Sequence, residues 1–362
     1  MSIKVSVITP CLNSEKTIRD TIESVLGQTY KNIEYILVDG GSTDRTVEII
    51  EEYLPIFGIR LQCTSEKDQG IYDAMNKGLS LASGDMVGII NSDDWYEPDA
   101  VEKAVDCFRE SNAGVVFGEI WLIDPNGKKQ SCTKNSMLPP HPSMFVKREI
   151  YQEYGVFDTN YKIAADYELT LRLRAQGVSF AHIDGILANF RTEGVSNLKK
   201  ADCIEETYQI NLKYADRCVN GILNREIAEE LYSRSRLLYI SKNNPGKIIR
   251  VLERKFSDLD RGIVIFGTGN WGRELHTVLR NCNIEIPFFV DNDNKKWGFE
   301  WEGSKIFSPE ILKDYNGAIC IAVKKFQKEL CEQVHKYADG NLSVGVYDKL
   351  WGAVVRDLEL CR

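Results

Sequence analysis

Short apolar runs alternate with segments of helical spacing through the N-terminal third of the chain. Ile18, Ile22 and Val25 recur at intervals of four and three residues, which predicts a helix. Asp44 is placed to cap the next helix, and Pro98 stands at the start of a later one. The apolar runs predict strands over Ile3–Ile8, Ile33–Val38, Arg60–Thr64, Met86–Ile90 and Val115–Gly118. This βαβα order predicts an α/β fold with a mainly parallel sheet covered on both faces.

Two of the predicted strands end in acidic residues. The strand IEYILV runs into Asp39, and the strand MVGII runs into Asn91, Ser92, Asp93 and Asp94. Ligands of open α/β sheets bind at the carboxyl edge of the strands. Adjacent carboxylates repel each other less when Mg²⁺ or Mn²⁺ joins them, and such an ion keeps positions for phosphate oxygens. The pattern therefore favours a metal-held diphosphate, although lone acids at strand ends also cap turns.

The pattern loosens after Gly118. Helices are predicted near Lys147–Tyr154 and over Asp166–Ala175, and this part of the chain is expected to form the acceptor side of a cleft. We divide the chain into a first domain over residues 1–197, a helical connector over 198–260 and a small α/β domain over 261–362. The break Asn243-Asn244-Pro245-Gly246 lies inside the connector.

Composition limits the possible functions. The 362 residues carry a formal net charge of −8, which argues against nonspecific nucleic-acid binding. The ten cysteines include no CxxC pair, so zinc spacing is absent and a reducing compartment is expected. The N-terminus lacks the apolar length of a signal peptide, and the apolar runs are too short to span a bilayer. We therefore expect a cytoplasmic protein.

Basic residues in the connector make contact with a membrane surface one of two interpretations. They could rest on an anionic lipid surface at the inner face of the membrane, where a lipid-linked acceptor would be found. Glu229, Glu230 and Glu253 are interspersed among them, which favours an ordinary packing helix. The basic residues are Arg234, Arg236, Lys247, Arg250, Arg254 and Lys255.

Several fragments over about residues 3–200 are informative through their order and spacing, although each is weak alone. The fragments are SVITPCLNSEKTI, SVLGQTY, EYILVDGGSTDRT, DQGIYDAMNKG, ASGD, INSDDWY, HPSMFVKREIY, GVFD and IAADYELTLRL. In this order and spacing the chain resembles family 2 glycosyltransferases with the GT-A fold. The resemblance implies an inverting enzyme that moves a sugar from a nucleotide-sugar, with a UDP-sugar expected, to a hydroxyl. It also implies a saccharide or lipid-linked saccharide acceptor and a role in bacterial capsule, O-antigen or exopolysaccharide assembly.

The resemblance assigns donor-side roles by position. Asp39 matches the acid that contacts the nucleotide base, and Asp68 and Gly70 match the segment that closes over the donor. The loop that lines the nucleotide pocket carries Thr9, Cys11 and Asn13. Asn91 replaces the first acid of the family's DxD signature, so Mn²⁺ or Mg²⁺ is expected on Asp93, helped by Asp94.

The resemblance also places a catalytic base. Asp166 matches the aspartate of the family's Glu-Asp pair, and Ala165 stands where the glutamate would be. One acid suffices because direct displacement requires only that a base take the acceptor's proton. A helix N-cap is the alternative for Asp166. On the acceptor side, His141 could contact substrate or occupy a plain turn, and Trp95 could stack on a sugar or pack in the core.

A second motif opens the C-terminal domain. Gly267, Gly269 and Gly272 follow the strand IVIF, and Asp291 ends the next strand, in the context of a dinucleotide-binding fingerprint. The domain resembles small Rossmann-like modules of polysaccharide enzymes. It could bind a second nucleotide, or dock and dimerise without a ligand. Two rival functions follow, an NAD-dependent oxidoreductase centred on this turn and a noncatalytic nucleotide-sugar-binding subunit, which Asn91 and Ala165 keep open.

Overall fold

The chain forms two compact units in a computed structural model, an N-terminal unit of residues 1–228 and a C-terminal unit of residues 229–362. The structure describes residues 2–133, 138–192, 194, 199–215, 217, 223–256, 259–337 and 343–349. The division falls inside the predicted connector, and the three-part arrangement proposed from the sequence stays a prediction. None of the described helices is both long and apolar enough to cross a membrane.

The N-terminal unit is built on one mixed sheet of order β3-β2-β1-β4-β8-β6-β9-β5, with β7 beside β6. Pairing is parallel from β3 to β4 and antiparallel on both sides of β8. Every residue of β1 and β2 is buried, as expected for parallel strands covered on both faces. The strands are β1 (Val5–Cys11), β2 (Ile33–Asp39), β3 (Leu61–Ser65), β4 (Met86–Ile89), β5 (Trp95–Tyr96), β6 (Val115–Ile123), β7 (Lys129–Cys132), β8 (Met144–Lys147) and β9 (Phe180–Arg191).

Helices cover both faces of this sheet, so successive strand residues enter different cores. Val7 packs in the core that includes α1, α2 and α4, whereas Ile8 packs in the core that includes α3, α5 and α6. Asp44, predicted as a cap, lies one residue before the N-cap Arg45, and its Oδ1 accepts the backbone N–H of Thr46 at 3.0 Å. The helices are α1 (Ile18–Leu26), α2 (Thr46–Phe57), α3 (Ile71–Leu81), α4 (Ala100–Ser111), α5 (Arg148–Tyr154), α6 (Ala165–Ala175) and α7 (Lys200–Tyr214).

Helix α8 (Arg225–Asn243) contains the division between the units, and α9 (Pro245–Lys255) follows it. The C-terminal sheet has the order β12-β13-β11-β10-β14-β15 and is parallel except at the edge strand β12. Setting β12 aside, this is the 3-2-1-4-5 order of a doubly wound sheet. Its elements are β10 (Ile263–Phe266), α10 (Asn270–Asn281), β11 (Phe289–Val290), β12 (Glu300–Trp301), β13 (Ser304–Phe307), β14 (Ala318–Ile321), α11 (Gln327–Tyr337) and β15 (Ser343–Val346).

Candidate active site

The Asp39 carboxylate is held inside its own turn at the carboxyl end of β2. Asp39 is 0% exposed. Its Oδ2 accepts the N–H groups of Gly41 at 3.1 Å and Ser42 at 3.0 Å and the Ser65 hydroxyl at 2.7 Å. The Ser42 hydroxyl donates to Oδ1. A nucleotide base could therefore use Asp39 only by replacing one of these donors.

The ends of β2 and β3 meet at Gly40. A Cβ at Gly40 would overlap the Asp68 carboxylate, so glycine allows this close approach. Asp68 Oδ1 also accepts the Gly70 N–H at 2.9 Å. Gly70 has φ +124°, a conformation that strains any residue with a side chain. The two segments predicted to face the donor therefore lie against each other.

The three residues predicted to line the nucleotide pocket differ in position, since Thr9 and Cys11 lie in β1 and Asn13 follows it. Thr9 is buried in the core, where its hydroxyl accepts from Tyr35 at 3.1 Å. Cys11 is also buried, which raises the pKa of its thiol. Asn13 is exposed, and its Oδ1 accepts the Thr43 N–H at 2.9 Å. Asn13 alone among the three presents its side chain at the sheet edge.

The acidic turn after β4 contains two different carboxylates. Asp94 is 0% exposed, and its Oδ1 accepts the Arg191 backbone N–H at 2.9 Å. Burial and the adjacent Asp93 raise the pKa of Asp94 well above its usual range. Asp93 is only partly buried, and no other described residue donates to its carboxylate within hydrogen-bond distance. Neither Asp93 oxygen is bonded to another described residue, and Asp94 Oδ2 is buried without a hydrogen-bond partner, so both acids keep oxygens that a cation could use.

Arg191, at the end of β9, clamps this turn. One guanidinium nitrogen donates to the Asp93 carbonyl, and the other donates to Asp20 Oδ2 at 2.7 Å. The guanidinium lies 4.5 Å from the centre of the Trp95 ring, so it covers one face of that aromatic. The Ser14 and Ser92 hydroxyls lie 2.8 Å apart and join the turn to the loop after β1. Local spacing in the sequence gives no sign of Arg191, because Asp93 and Asp94, which it contacts, are about a hundred residues away.

Asp166 is the second residue of α6, whose N-cap is Ala164. The alternative that Asp166 is itself the N-cap is therefore wrong. Its Oδ1 accepts the Tyr72 hydroxyl at 2.9 Å. His141 lies in a short 3-10 turn, where burial lowers the pKa of its imidazole and the Asp166 charge opposes that shift. The structure thus places a tyrosine and a histidine beside the predicted base.

Glu206 on α7 fixes the segment that leads into Asp166. Its carboxylate accepts the backbone N–H groups of Lys162 at 2.8 Å, Ile163 at 2.9 Å and Ala164 at 3.0 Å. These three donors precede the first turn of α6, which has no side-chain cap bond of its own. Helix α7, predicted as part of a connector, thus supplies a residue that holds the site in place.

Comparison with known proteins identifies the family. The model of the family described as Glycosyl transferase family 2 matches residues 6–165. The chain is 30% identical over 176 residues to a PGL/p-HBAD biosynthesis glycosyltransferase of Mycobacterium bovis, covering 46% of this chain and 68% of the relative. The chain belongs to glycosyltransferase family 2. This glycosyltransferase is also 33% identical over 217 residues to the Escherichia coli chondroitin synthase, covering 56% of this chain but 31% of that protein.

Solved structures support the GT-A fold of this glycosyltransferase. PcManGT, a mannosyltransferase from Pyrobaculum calidifontis in complex with GDP-Man and Mn²⁺, has a TM-score of 0.52 and 18% identity. That likeness covers 64% of this chain and 70% of PcManGT. Residues 1–349 of Staphylococcus aureus TarS in complex with UDP-GlcNAc give a TM-score of 0.50 and 20% identity, covering 68% of this chain and 76% of that TarS fragment. The α/β fold with a GT-A domain, predicted from the sequence, is confirmed.

The oxygens of the acidic turn fit a divalent cation. The Asn91 Oδ1 atom is buried without a hydrogen-bond partner, and the Asp93 carboxylate is not bonded to another described residue. The described residues contain no cluster of three or more His, Cys, Asp or Glu side chains able to hold a metal. A hard cation here would have few protein ligands and would keep positions for phosphate oxygens. Asp94 Oδ1 holds β9, whereas its buried Oδ2 has no hydrogen-bond partner, so a helping role for Asp94 beside Asp93 stays a prediction.

The glycine turn of this glycosyltransferase follows β10 and opens α10, as predicted. A second family, described as C2185-like, N-terminal, matches residues 259–340. Gly267 has φ +110°, and the space around Gly269 is open. Asp291 Oδ2 accepts the Thr268 N–H at 3.1 Å and the Lys296 ammonium at 2.9 Å. A ribose hydroxyl would have to displace these donors, and a nucleotide at this turn stays a prediction.

Proposed function

We propose that this chain is an inverting, metal-dependent glycosyltransferase that transfers a sugar from a UDP-sugar to a hydroxyl of a saccharide or lipid-linked saccharide. The observation that carries the proposal is the arrangement of acids at one sheet edge. Strands β2 and β4 flank β1 in parallel, so the Asp39 turn and the Asp93 turn lie at the same edge. The Tyr72 hydroxyl links the third acid, Asp166, to the segment that follows Gly70 at that edge.

The proposed reaction divides the work between Asp93 and Asp166. Asp93, with Asn91 Oδ1, would hold Mn²⁺ or Mg²⁺, which when bound stabilises the charge that develops on the leaving diphosphate. Asp166 takes the proton from the acceptor hydroxyl as that oxygen attacks the anomeric carbon. The sugar is transferred in one displacement. The acceptor oxygen attacks the anomeric carbon from the face opposite the diphosphate, so the configuration at that carbon inverts. His141 and Trp95 are proposed on the acceptor side.

The donor side is proposed from residues at the ends of β1, β2, β3 and β4. Thr9 and Cys11 support this edge from beneath, since both are buried, whereas Asn13 and Asp68 reach the surface of the loops. The full proposed set is Thr9, Cys11, Asn13, Asp39, Asp68, Gly70, Asn91 and Asp93.

The relatives support a role in surface glycan assembly. One is a glycosyltransferase of PGL/p-HBAD biosynthesis, and another is a chondroitin synthase. TarS binds UDP-GlcNAc, and PcManGT binds GDP-Man with Mn²⁺. We propose a UDP-sugar donor and an acceptor in bacterial capsule, O-antigen or exopolysaccharide synthesis.

A thermal-shift panel of nucleotide-sugars with and without Mn²⁺ identifies the donor, because a ligand that binds only the folded state raises its melting temperature. Release of nucleoside diphosphate from that donor then measures turnover. Asp166→Asn is expected to lower kcat by about 10²–10⁴-fold while donor binding persists. Asp106→Asn, an exposed carboxylate on α4, is the matched control and is expected to retain full turnover. Full turnover in Asp166→Asn would disprove the assignment of the base, and donor binding without turnover in the wild type would favour the noncatalytic rival.

A further inference from the structure

Tyr72 spans the two sides of the proposed site. It is the second residue of α3 and follows Gly70 by two positions. Its hydroxyl lies 2.9 Å from Asp166 Oδ1 and 2.7 Å from the Ile163 carbonyl oxygen. The single hydroxyl proton is shared between these two acceptors, which lie just before and within the first turn of α6, more than ninety residues further along the chain. One side chain therefore joins the donor-side segment to the predicted base.

The Tyr72 ring has little freedom to move. It is 7% exposed and stacks on Phe157 with ring centres 5.6 Å apart. Burial and the Asp166 charge raise the pKa of the Tyr72 hydroxyl well above its usual value, so the group stays a neutral donor. The start of α3 is also fixed, since the Gln69 N–H donates to Asp73 Oδ2 at 3.0 Å.

The hydrogen bond restricts how the Asp166 carboxylate can turn. A carboxylate that bonds through Oδ1 to a fixed donor keeps Oδ2 in one direction. Proton transfer needs the base within hydrogen-bond reach of the acceptor hydroxyl, so a carboxylate that rotates freely spends less time in the reactive orientation. The bond to Tyr72 selects one orientation before the acceptor arrives.

We infer that Tyr72 is a positioning residue: its hydroxyl holds Asp166 Oδ1, leaves Oδ2 to receive the acceptor proton, and couples the base to the donor segment 68–70. This inference rests on the proposed function, in which Asp166 is the base. It assigns Tyr72 no contact with donor or acceptor. The expected effect of losing the hydroxyl is therefore on kcat and not on donor affinity.

Tyr72→Phe tests the inference in the full-length protein, because phenylalanine keeps the ring that stacks on Phe157. We expect kcat to fall about tenfold, the size of one lost hydrogen bond to a charged group. The dissociation constant of the donor identified by thermal shift, measured by calorimetry with Mn²⁺, is expected to change less than twofold. The melting temperature reports whether the variant stays folded. Tyr53→Phe is the matched control, since it removes a tyrosine bond of 2.8 Å to Glu23 on α1 and is expected to leave kcat unchanged.

Combination with Asp166→Asn separates this inference from the proposed function. In the Asp166→Asn background, Tyr72→Phe is expected to change the residual rate less than twofold, because a residue that acts through the base has nothing left to position. An unchanged kcat in Tyr72→Phe, alongside an inactive Asp166→Asn, would overturn the role of Tyr72 and leave the proposed function standing. A further tenfold loss in the double variant, or a weaker donor affinity at unchanged kcat, would also overturn it. Full turnover in Asp166→Asn would instead remove the proposed function itself.

Discussion

The acidic turn after β4 and the glycine turn after β10 follow the same plan and differ in what their carboxylates bond. Both turns follow a parallel strand. Asp93 lies within the first turn, and Asp291, which follows the neighbouring strand β11, lies beside the second. No other described residue donates to the Asp93 carboxylate, and burial raises its pKa. Burial acts on Asp291 as well, but hydrogen bonds from Thr268, Asp293 and Lys296 outweigh it and lower that pKa. Unused acceptor oxygens mark a place for a cation, whereas Asp291 already stabilises its own loop.

The largest expected effect is at Asp93. Asp93→Ala removes the side chain proposed to hold the metal. A bound metal stabilises the charge on the leaving diphosphate in the transition state by several kcal/mol, so kcat/KM should fall about 10³-fold. The Mn²⁺-dependent part of the thermal shift with the donor should disappear. Asp291→Ala serves as the control in the C-terminal unit and is expected to change transfer less than twofold. An equal loss in both variants would show that the C-terminal turn takes part in transfer.

The sequence predicted the strand ends but not the contacts that distinguish one acid from another. Apolar runs located β2 and β4, and parallel topology then brought Asp39 and Asp93 to one edge, because such strands end on the same side. Asp93 and Asp94 are neighbours of the same type, and only the return of β9 shows which one faces inward. Tyr72 and Arg191 were missed for the same reason, since each bonds a partner more than ninety residues away. Local spacing carries no signal for such pairs.

Arg191 tests whether the orientation of Asp93 matters beyond its charge. In Arg191→Gln the Asp93 carbonyl loses the hydrogen bond from the guanidinium. The Mn²⁺ concentration that gives half-maximal donor binding should therefore rise about tenfold or more. Arg191→Lys should fall between this variant and the wild type, because one ammonium cannot span both the Asp93 carbonyl and Asp20 as a planar guanidinium does. Calorimetric titration with Mn²⁺ measures the shift. Arg109→Gln on α4, which removes an exposed guanidinium paired with Asp106, is the control. An unchanged Mn²⁺ titration in Arg191→Gln would mean that Arg191 contributes only to packing and not to metal binding.

Substitutions at two glycines of the C-terminal turn distinguish an effect on stability from an effect on nucleotide binding. A Cβ at Gly272 would overlap the carbonyl oxygen of Gly267, so Gly272→Ala should lower the free energy of unfolding by about 1–3 kcal/mol. Gly269 has φ −80° and open space around it, so Gly269→Ala should change stability by less than about 0.5 kcal/mol. Urea unfolding, followed by hydrogen exchange in β10 and α10, measures both. Equal destabilisation by the two substitutions would contradict this contrast, and a nucleotide thermal shift lost only in Gly269→Ala would establish the second site.

Glu34 extends the comparison to a carboxylate on β2 whose bonds are fully satisfied. It is 4% exposed and receives hydrogen bonds from Lys4, Ser6 and Ser83. Burial alone would raise its pKa, but these bonds prevail and hold the pKa at about 2. The folded pKa lies below the unfolded value, so the stabilisation is present at neutral pH and is lost as the pH falls from about 5 towards 2.

The substitution Glu34→Gln should therefore cost about 2 kcal/mol of unfolding free energy at pH 7 and progressively less as the solution is acidified. Urea unfolding of both proteins at pH 7, 5 and 3 measures the difference. Glu52→Gln, which breaks an exposed ion pair with Arg19, is the control and should show no such pH dependence. A difference between wild type and Glu34→Gln that stays constant down to pH 3 would mean that Glu34 acts through packing rather than charge. In that case a low pKa, as at Glu34 and Asp291, would no longer identify an acid whose charge stabilises the fold, and it would not separate such acids from Asp93.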